Sequence, residues 1–170
     1  VIPCHNYGHY LGEAIESALS QSYRPTEIVV VDDSSTDNTR EVADEFSVRG
    51  VRYLRINARH SQLARKAGFQ STVAEIVCFL DGDDRLARNY LEMGVPEFAN
   101  PNVGIVSSDV EHFGLFRGHS DYPDHCDRDH MARVNYMHTG SLVLREALDV
   151  TRALDVWADD KLSLQDWLLW

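Results

Sequence analysis

The sequence predicts an open α/β fold, a mostly parallel central sheet flanked by helices. Three observations predict it. Residues 27–33 (EIVVVDD) and 75–84 (EIVCFLDGDD) are continuous apolar runs that climb into clustered acids. Unbroken apolar character, rather than alternation, suits strands covered on both faces, as in parallel sheets. Stretches with helical periodicity separate these runs, and strand–helix alternation at that interval means βαβ units.

The elements follow in order. An apolar start at Val1–Cys4 gives a first strand. In YLGEAIESALSQ, Leu11, Ala14, Ile15, Ala18 and Leu19 lie on one helical face. Residues 27–33 form the second strand. STDNTREVADEFS offers several N-capping residues ahead of Val42, Ala43 and Phe46 at helical spacing. VRYLRI (51–56) is a third strand, SQLARKAGFQSTV (61–73) a helix, and the run ending at Leu80 a fourth strand. RNYLEMGVPEFA is a helix interrupted by Pro96. VGIVSS (103–108) and SLVLR (141–145) complete the sheet, and 112–138, rich in His, Asp, Gly and Arg, reads as a long functional loop.

The chain has 170 residues, the size of one domain, with no low-complexity tract or linker. It opens at Val1 inside an apolar stretch without a basic leader, so the expectation is a single domain over 1–170, truncated at both ends. A net charge of −11 excludes a nucleic-acid surface, which needs a basic patch. It also means that an anionic ligand must be neutralised locally. Cys4, Cys78 and Cys126 form no close pair, which argues against a disulfide framework and for a reducing compartment. His119, His125, Cys126 and His130 lack the paired spacing of a zinc site, so 119–130 reads as part of the functional loop rather than as a metal centre.

Ligands of open α/β sheets bind at the carboxyl ends of the strands. Two such ends carry acids: Asp32 and Asp33, then Asp81, Asp83 and Asp84. Oxygen-rich clusters of this kind suit Mg²⁺ or Mn²⁺ shared with substrate phosphates. Helix capping is the competing explanation, and it suits DDSSTDNT better than DGDD, because capping needs one acid rather than three.

Taken together, VIPCHNYGHYLGEAIESALSQSY, EIVVVDDSSTDNT, ARKAG, FLDGDDRL and QDWLLW resemble, in order, the motifs of the family 2 glycosyltransferases of GT-A fold. The resemblance implies a Rossmann-like nucleotide-diphospho-sugar transferase domain that moves a sugar, with inversion, from a nucleoside-diphosphate sugar, expected to be a UDP-sugar. It implies that Pro3, His5 and Asp33 line the nucleobase pocket and that Asp81 sits by the ribose. It further implies that Asp83 and Asp84 hold Mn²⁺ or Mg²⁺, that Arg59 and Arg65 reach the nucleotide, and that Asp166 is the catalytic base. The expected partners are the donor and a glycan, lipid or protein acceptor, at the cytoplasmic face of a membrane, with any attachment lying outside these residues. MHTGSLVLR matches the region where the family places a GSxxxR strand near the acceptor. His5, Lys66 and Gln165 depart from the family pattern (Tyr, Asn and Glu), and they motivate the alternative of a nucleotide-sugar-binding domain without turnover. A dinucleotide-binding domain is excluded because no G-x-G-x-x-G follows the first strand. The dehalogenase-type phosphatases are set aside because Asp84 and Arg85 follow the second aspartate, and VDDSSTD would go unexplained.

Overall fold

The structure, a computed structural model, describes residues 1–24, 26–125 and 138–155. Three parallel strands form one ladder in the order β1-β2-β3: β1 (Ile2–Cys4), β2 (Val29–Asp33) and β3 (Arg52–Ile56). A second ladder, β4-β8-β5, contains β4 (Ile76–Cys78), β5 (Ile105–Val106) and β8 (Leu142–Leu144), with β8 antiparallel to both neighbours. Val1 bridges the two. Its amino nitrogen donates to the Cys78 carbonyl, and its carbonyl accepts from the Leu80 N–H, both at 2.9 Å. β6 (Val110–His112) and β7 (Gly118–Ser120) form an antiparallel hairpin inside the segment expected to be loop. Leu115 and Phe116 at its tip are 99% and 82% exposed, so no buried face announced these strands in the sequence.

The helices cover both faces, which explains the apolar run of β2. Val30 packs with Leu11, Ala14 and Ile15 of α1 (Gly8–Leu19) and Ala43 of α2 (Thr39–Glu45). Val29 and Val31 pack with Ala64 of α3 (Ser61–Ser71) on the other side. Burying each such aliphatic side chain contributes about 1.5–3 kcal/mol. Gly68 lets α3 lie flat on the sheet, since a Cβ there would stand 2.2 Å from Val1 and 3.0 Å from Val31 side-chain carbons. The helix interrupted by Pro96 is two pieces, α4 (Tyr90–Gly94) and a 3₁₀ turn (Val95–Ala99) with the proline in its first turn, where a missing N–H does no harm. α5 (Arg145–Thr151) follows β8 directly and was not anticipated. Its first residue, Arg145, donates to the carbonyls of Phe69, Thr72 and Ala74 and lies over the Phe69 ring at 4.1 Å. The arginine of the GSxxxR match therefore fastens α5 to the end of α3.

Among the described residues, no helix is long and apolar enough to cross a membrane.

Candidate functional site

The carboxyl edge of the sheet is built largely by the polar residues of VDDSSTD, each of which secures a neighbouring loop. Asp32 is fully buried; it accepts from the Ser35 N–H (2.8 Å), the Tyr53 hydroxyl (2.5 Å) and Arg55 Nη1 (2.7 Å). Burial alone would raise its pKa, but bonds from Ser35 and Tyr53 and the Arg55 charge outweigh it and hold the carboxyl below the usual range. Asp37 accepts from the N–H groups of Gly8 (2.9 Å) and Thr39 (3.0 Å), so the caps of α1 and α2 share one carboxylate. The capping expected of this stretch thus comes from Asp37, while Asn38, at the N-cap itself, makes no side-chain cap bond. Asn6 accepts from the Thr36 N–H and donates its own N–H to Ser35 Oγ, pinning the loop after β1 to the loop after β2.

Asp33 binds the loop after β3. Its Oδ1 accepts from the N–H groups of Ala58 and Arg59, both at 2.8 Å, and its Oδ2 from that of His60 at 2.7 Å. A carboxylate has about four acceptor positions, and these three N–H groups fill three of them. His5 Nδ1 lies 2.6 Å from the Asp33 carbonyl oxygen, with Pro3 behind it in β1. Asn6, Ser34 and Arg59 all have left-handed backbone (φ 58°, 65° and 52°) without being glycine. Such conformations cost of order 1 kcal/mol and persist where surrounding bonds enforce them. All three flank the Asp33 side of the edge.

The DGDD turn follows β4 and is closed by the Asp84 N–H on the Asp81 carbonyl at 3.0 Å. Asp81 is gripped at both oxygens: Arg65 Nη2 donates to Oδ1 at 3.0 Å and Thr139 Oγ1 to Oδ2 at 2.9 Å. Arg65 is buried on α3, so it reaches the turn through Asp81. Gly82 is not needed for an unusual backbone. A Cβ there would meet Pro3, Cys4 and Tyr7 at an ordinary 3.6 Å, so the turn packs on the end of β1 and on Tyr7. Asp83 and Asp84 are exposed. Crowding by protein atoms, then by Asp81 and Asp83, pushes the Asp84 carboxyl up to about 6, with His112 of β6 opposing. Surface area marks Asp84 as open to water, so its burial is partial and the charge of its neighbours weighs accordingly. Arg85 lies over the Phe113 ring at 4.5 Å and holds the hairpin against this turn.

The segment that follows is tethered to the residues just after α1. Gln21, buried, donates to the Ala87 carbonyl (2.8 Å) and accepts from the Leu91 N–H (3.1 Å), while the Ser22 N–H donates to the Arg88 carbonyl (3.0 Å). Lys66 pairs with Asp155 at 2.6 Å, and Arg152 holds the other oxygen of Asp155 at 2.9 Å. His138, half-buried and kept below its usual pKa by that burial, places Nε2 3.4 Å from Ser108 Oγ. Asp166, Gln165, Cys126 and His130 lie outside the described residues.

The structure therefore brings His5, Asp33 and Arg59 together beside β2, and Arg65, Asp81, Asp83 and Asp84 around the DGDD turn, with Pro3 in β1 between the two groups. Thr139 was missed, because no local pattern relates it to a residue 58 positions earlier. Away from this edge, Asp109, His119 and Asp121 on the hairpin bring one donor atom each within 4.8 Å of one another; all are exposed, and His119 Nε2 stands 2.9 Å from Asp121. An apolar cavity of about 300 Å³, lined by residues such as Ala18, Ile28, Ile76 and Leu91, contains none of the predicted site residues.

A sequence model of the family described as "Glycosyl transferase family 2" matches residues 1–151. The chain belongs to that family. Among similar proteins, glycosyltransferase GlyA of Streptococcus pneumoniae is 36% identical over 125 residues, 70% of this chain and 18% of its own length. The Escherichia coli relative WfgD, named as a UDP-Glc:α-D-GlcNAc-diphosphoundecaprenol β-1,3-glucosyltransferase, is 31% identical over 65% of this chain and 44% of its own length. The chain thus spans less than half of either protein. Among solved structures, Staphylococcus aureus TarS (residues 1–349, with UDP) superposes with a TM-score of 0.78 at 17% identity, covering 99% of this chain and 52% of TarS. The mannosyltransferase PcManGT of Pyrobaculum calidifontis, solved with GDP-Man and Mn²⁺, gives 0.70 at 22% identity over 94% of this chain and 48% of its own. The GT-A fold expected of this family 2 chain is the fold it has.

Proposed function

We propose that this chain is the donor-binding and catalytic domain of an inverting, metal-assisted glycosyltransferase that moves a sugar from a UDP-sugar to an acceptor hydroxyl. The observation that carries the reading is the DGDD turn at the carboxyl end of β4, on the same sheet edge as the loop that Asp33 holds. UDP is favoured because TarS was solved with it and the E. coli relative is named for UDP-Glc.

The donor set fits a hard divalent cation. Asp83 and Asp84 offer exposed carboxylate oxygens, and crowding by protein atoms, followed by the charges of Asp81 and Asp83, already opposes ionisation of Asp84. Mn²⁺ or Mg²⁺ held there supplies Lewis-acid stabilisation of the departing diphosphate. The chain's own groups do the rest. Asp33 and His5 hold the base, Asp81 faces the ribose, and Arg59 adds positive charge at the mouth. Asp166 takes the acceptor hydroxyl proton as the new oxygen–carbon bond forms on the face opposite the departing UDP. The acceptor is a glycan, lipid or protein, with the protein working at the cytoplasmic face of a membrane.

Gln165, in place of the family's Glu, favours a second reading: a domain that binds donor without turning it over. A thermal-shift panel of nucleoside-diphosphate sugars with and without Mn²⁺, followed by donor-turnover assays, separates the two. The transferase reading expects metal-dependent stabilisation by UDP-sugars and turnover that Asp166→Asn abolishes while the melting temperature stays put. Stabilisation without turnover establishes the binding domain, and no stabilisation by any donor sinks both.

A further inference from the structure

We infer that Thr139 is a positioning residue for donor binding, fixing the Asp81 carboxylate in the orientation in which it meets the nucleotide. The inference rests on the transferase reading of the site. The two oxygens of Asp81 are held by two different buried donors, Arg65 at Oδ1 (3.0 Å) and Thr139 at Oδ2 (2.9 Å), whose residues are 4% and 6% exposed. One donor leaves the carboxylate free to turn about its last torsion, a broad, roughly two-fold well. Two donors on separate oxygens set its plane.

Topology explains how Thr139 gets there. β8 runs antiparallel to β4, with Ile76 opposite Leu144, Val77 opposite Val143 and Cys78 opposite Leu142. Continued past the end of the ladder, that register sets Thr139 opposite Asp81. The turn carrying Thr139 is itself held from several sides. The Gly140 carbonyl accepts from the Tyr90 hydroxyl (2.9 Å) and the Cys78 thiol (3.1 Å), and Ser141 donates from its hydroxyl (2.7 Å) and its N–H (3.1 Å) to the His138 carbonyl. Gly140 lies so close to the His138 ring that a Cβ would stand 3.0 Å from it. The hydroxyl is thus presented from a rigid mount, a condition for setting a ligand-facing group rather than merely packing beside it.

The test is the affinity of the chain for UDP in the presence of Mn²⁺, by calorimetry, for wild type, Thr139→Val and Thr139→Ser. Valine keeps the shape and removes the donor; serine keeps the donor. We expect Thr139→Val to bind UDP roughly tenfold more weakly, the scale of a hydrogen bond to a charged group, and Thr139→Ser to stay within about twofold. If valine does not fold, Thr139→Ala takes its place with the same expectation. Wild-type affinity in Thr139→Val overturns the inference alone. So does a Thr139→Ser variant as weak as Thr139→Val, which would assign the effect to packing of the methyl group. A wild-type chain that binds no UDP with Mn²⁺ overturns the inference and the transferase reading together.

Discussion

Replacing Asp33 by asparagine probes how firmly the nucleotide edge is built. Asp33→Asn keeps one oxygen, enough for the Ala58 and Arg59 N–H groups, but turns an amide NH₂ toward the His60 N–H. Hydrogen bonds to charged acceptors contribute about 1.5–3 kcal/mol each, neutral ones about 0.5–1.5. Losing one charged bond outright and weakening two others gives an expected loss of about 2–4 kcal/mol. Part returns as strain relief, because Arg59 (φ 52°) is freed to leave the left-handed region, at about 1 kcal/mol. The net is about 1–3 kcal/mol, and for a chain of 170 residues each kcal/mol moves the melting temperature by about 2–4 °C. The melting temperature followed by circular dichroism should therefore fall by roughly 2–12 °C, and amide exchange should accelerate at Ala58, Arg59 and His60 before it does in β2. A melting temperature unchanged within a degree, with those amides still protected, would show that the carboxylate does not hold the loop.

Further tests address the other half of the site. Asp83→Asn, at an exposed position, should leave stability within about 0.5 kcal/mol yet remove the Mn²⁺-dependent thermal shift produced by UDP; a retained shift would place the ion elsewhere. Asp84 has a folded pKa raised from 3.8 to about 6, so ionising it opposes folding, and its contribution to stability falls as pH rises between those values. In chelator, Asp84→Asn should therefore stabilise the chain at pH 8 and lose that advantage below about pH 4, whereas an equal effect at both would contradict the crowding of charge at the turn. Two glycines should behave oppositely in chemical denaturation. Gly68→Ala forces a Cβ onto Val1 and Val31 and should cost about 1–3 kcal/mol, while Gly82→Ala, with only 3.6 Å contacts, should be close to neutral.

The parts of the architecture that were legible in the sequence are those whose signal is local. β2 was readable because Val29, Val30 and Val31 are all buried, against α3 on one face and α1 on the other. The antiparallel direction of β8 was not, since a short apolar run carries no sense of its partner's direction. Nor was the hairpin, whose β6 pattern of one half-buried and two exposed residues leaves no periodic face. In the site, the motif order pointed to the carboxyl edge and to DGDD. What it could not assign was the division of labour within VDDSSTD, where Asp32 is committed to Tyr53 and Arg55 and Asp33 to the 58–60 loop. Those commitments depend on which strands are neighbours. The two arginines of the prediction separate for the same reason: Arg65 is buried against Asp81, while Arg59 owes its place to the loop that Asp33 holds.

The tethers of the DGDD turn also bear on the order in which the chain takes shape. In sequence the turn is four adjacent residues, but the bonds that hold it and the segment after it reach across 66 residues to Gln21, 16 to Arg65 and 58 to Thr139. Closing loops of that length sacrifices chain entropy before any contact compensates, and contacts of high sequence separation are slow to form. The local bonds of the Asp37–Thr39 and Asp32–Ser35 turns can form as soon as β2 and α2 exist. The carboxylates that read most plainly as a motif thus have their full set of tethers only once the first unit of the chain and the strand β8 are both in place.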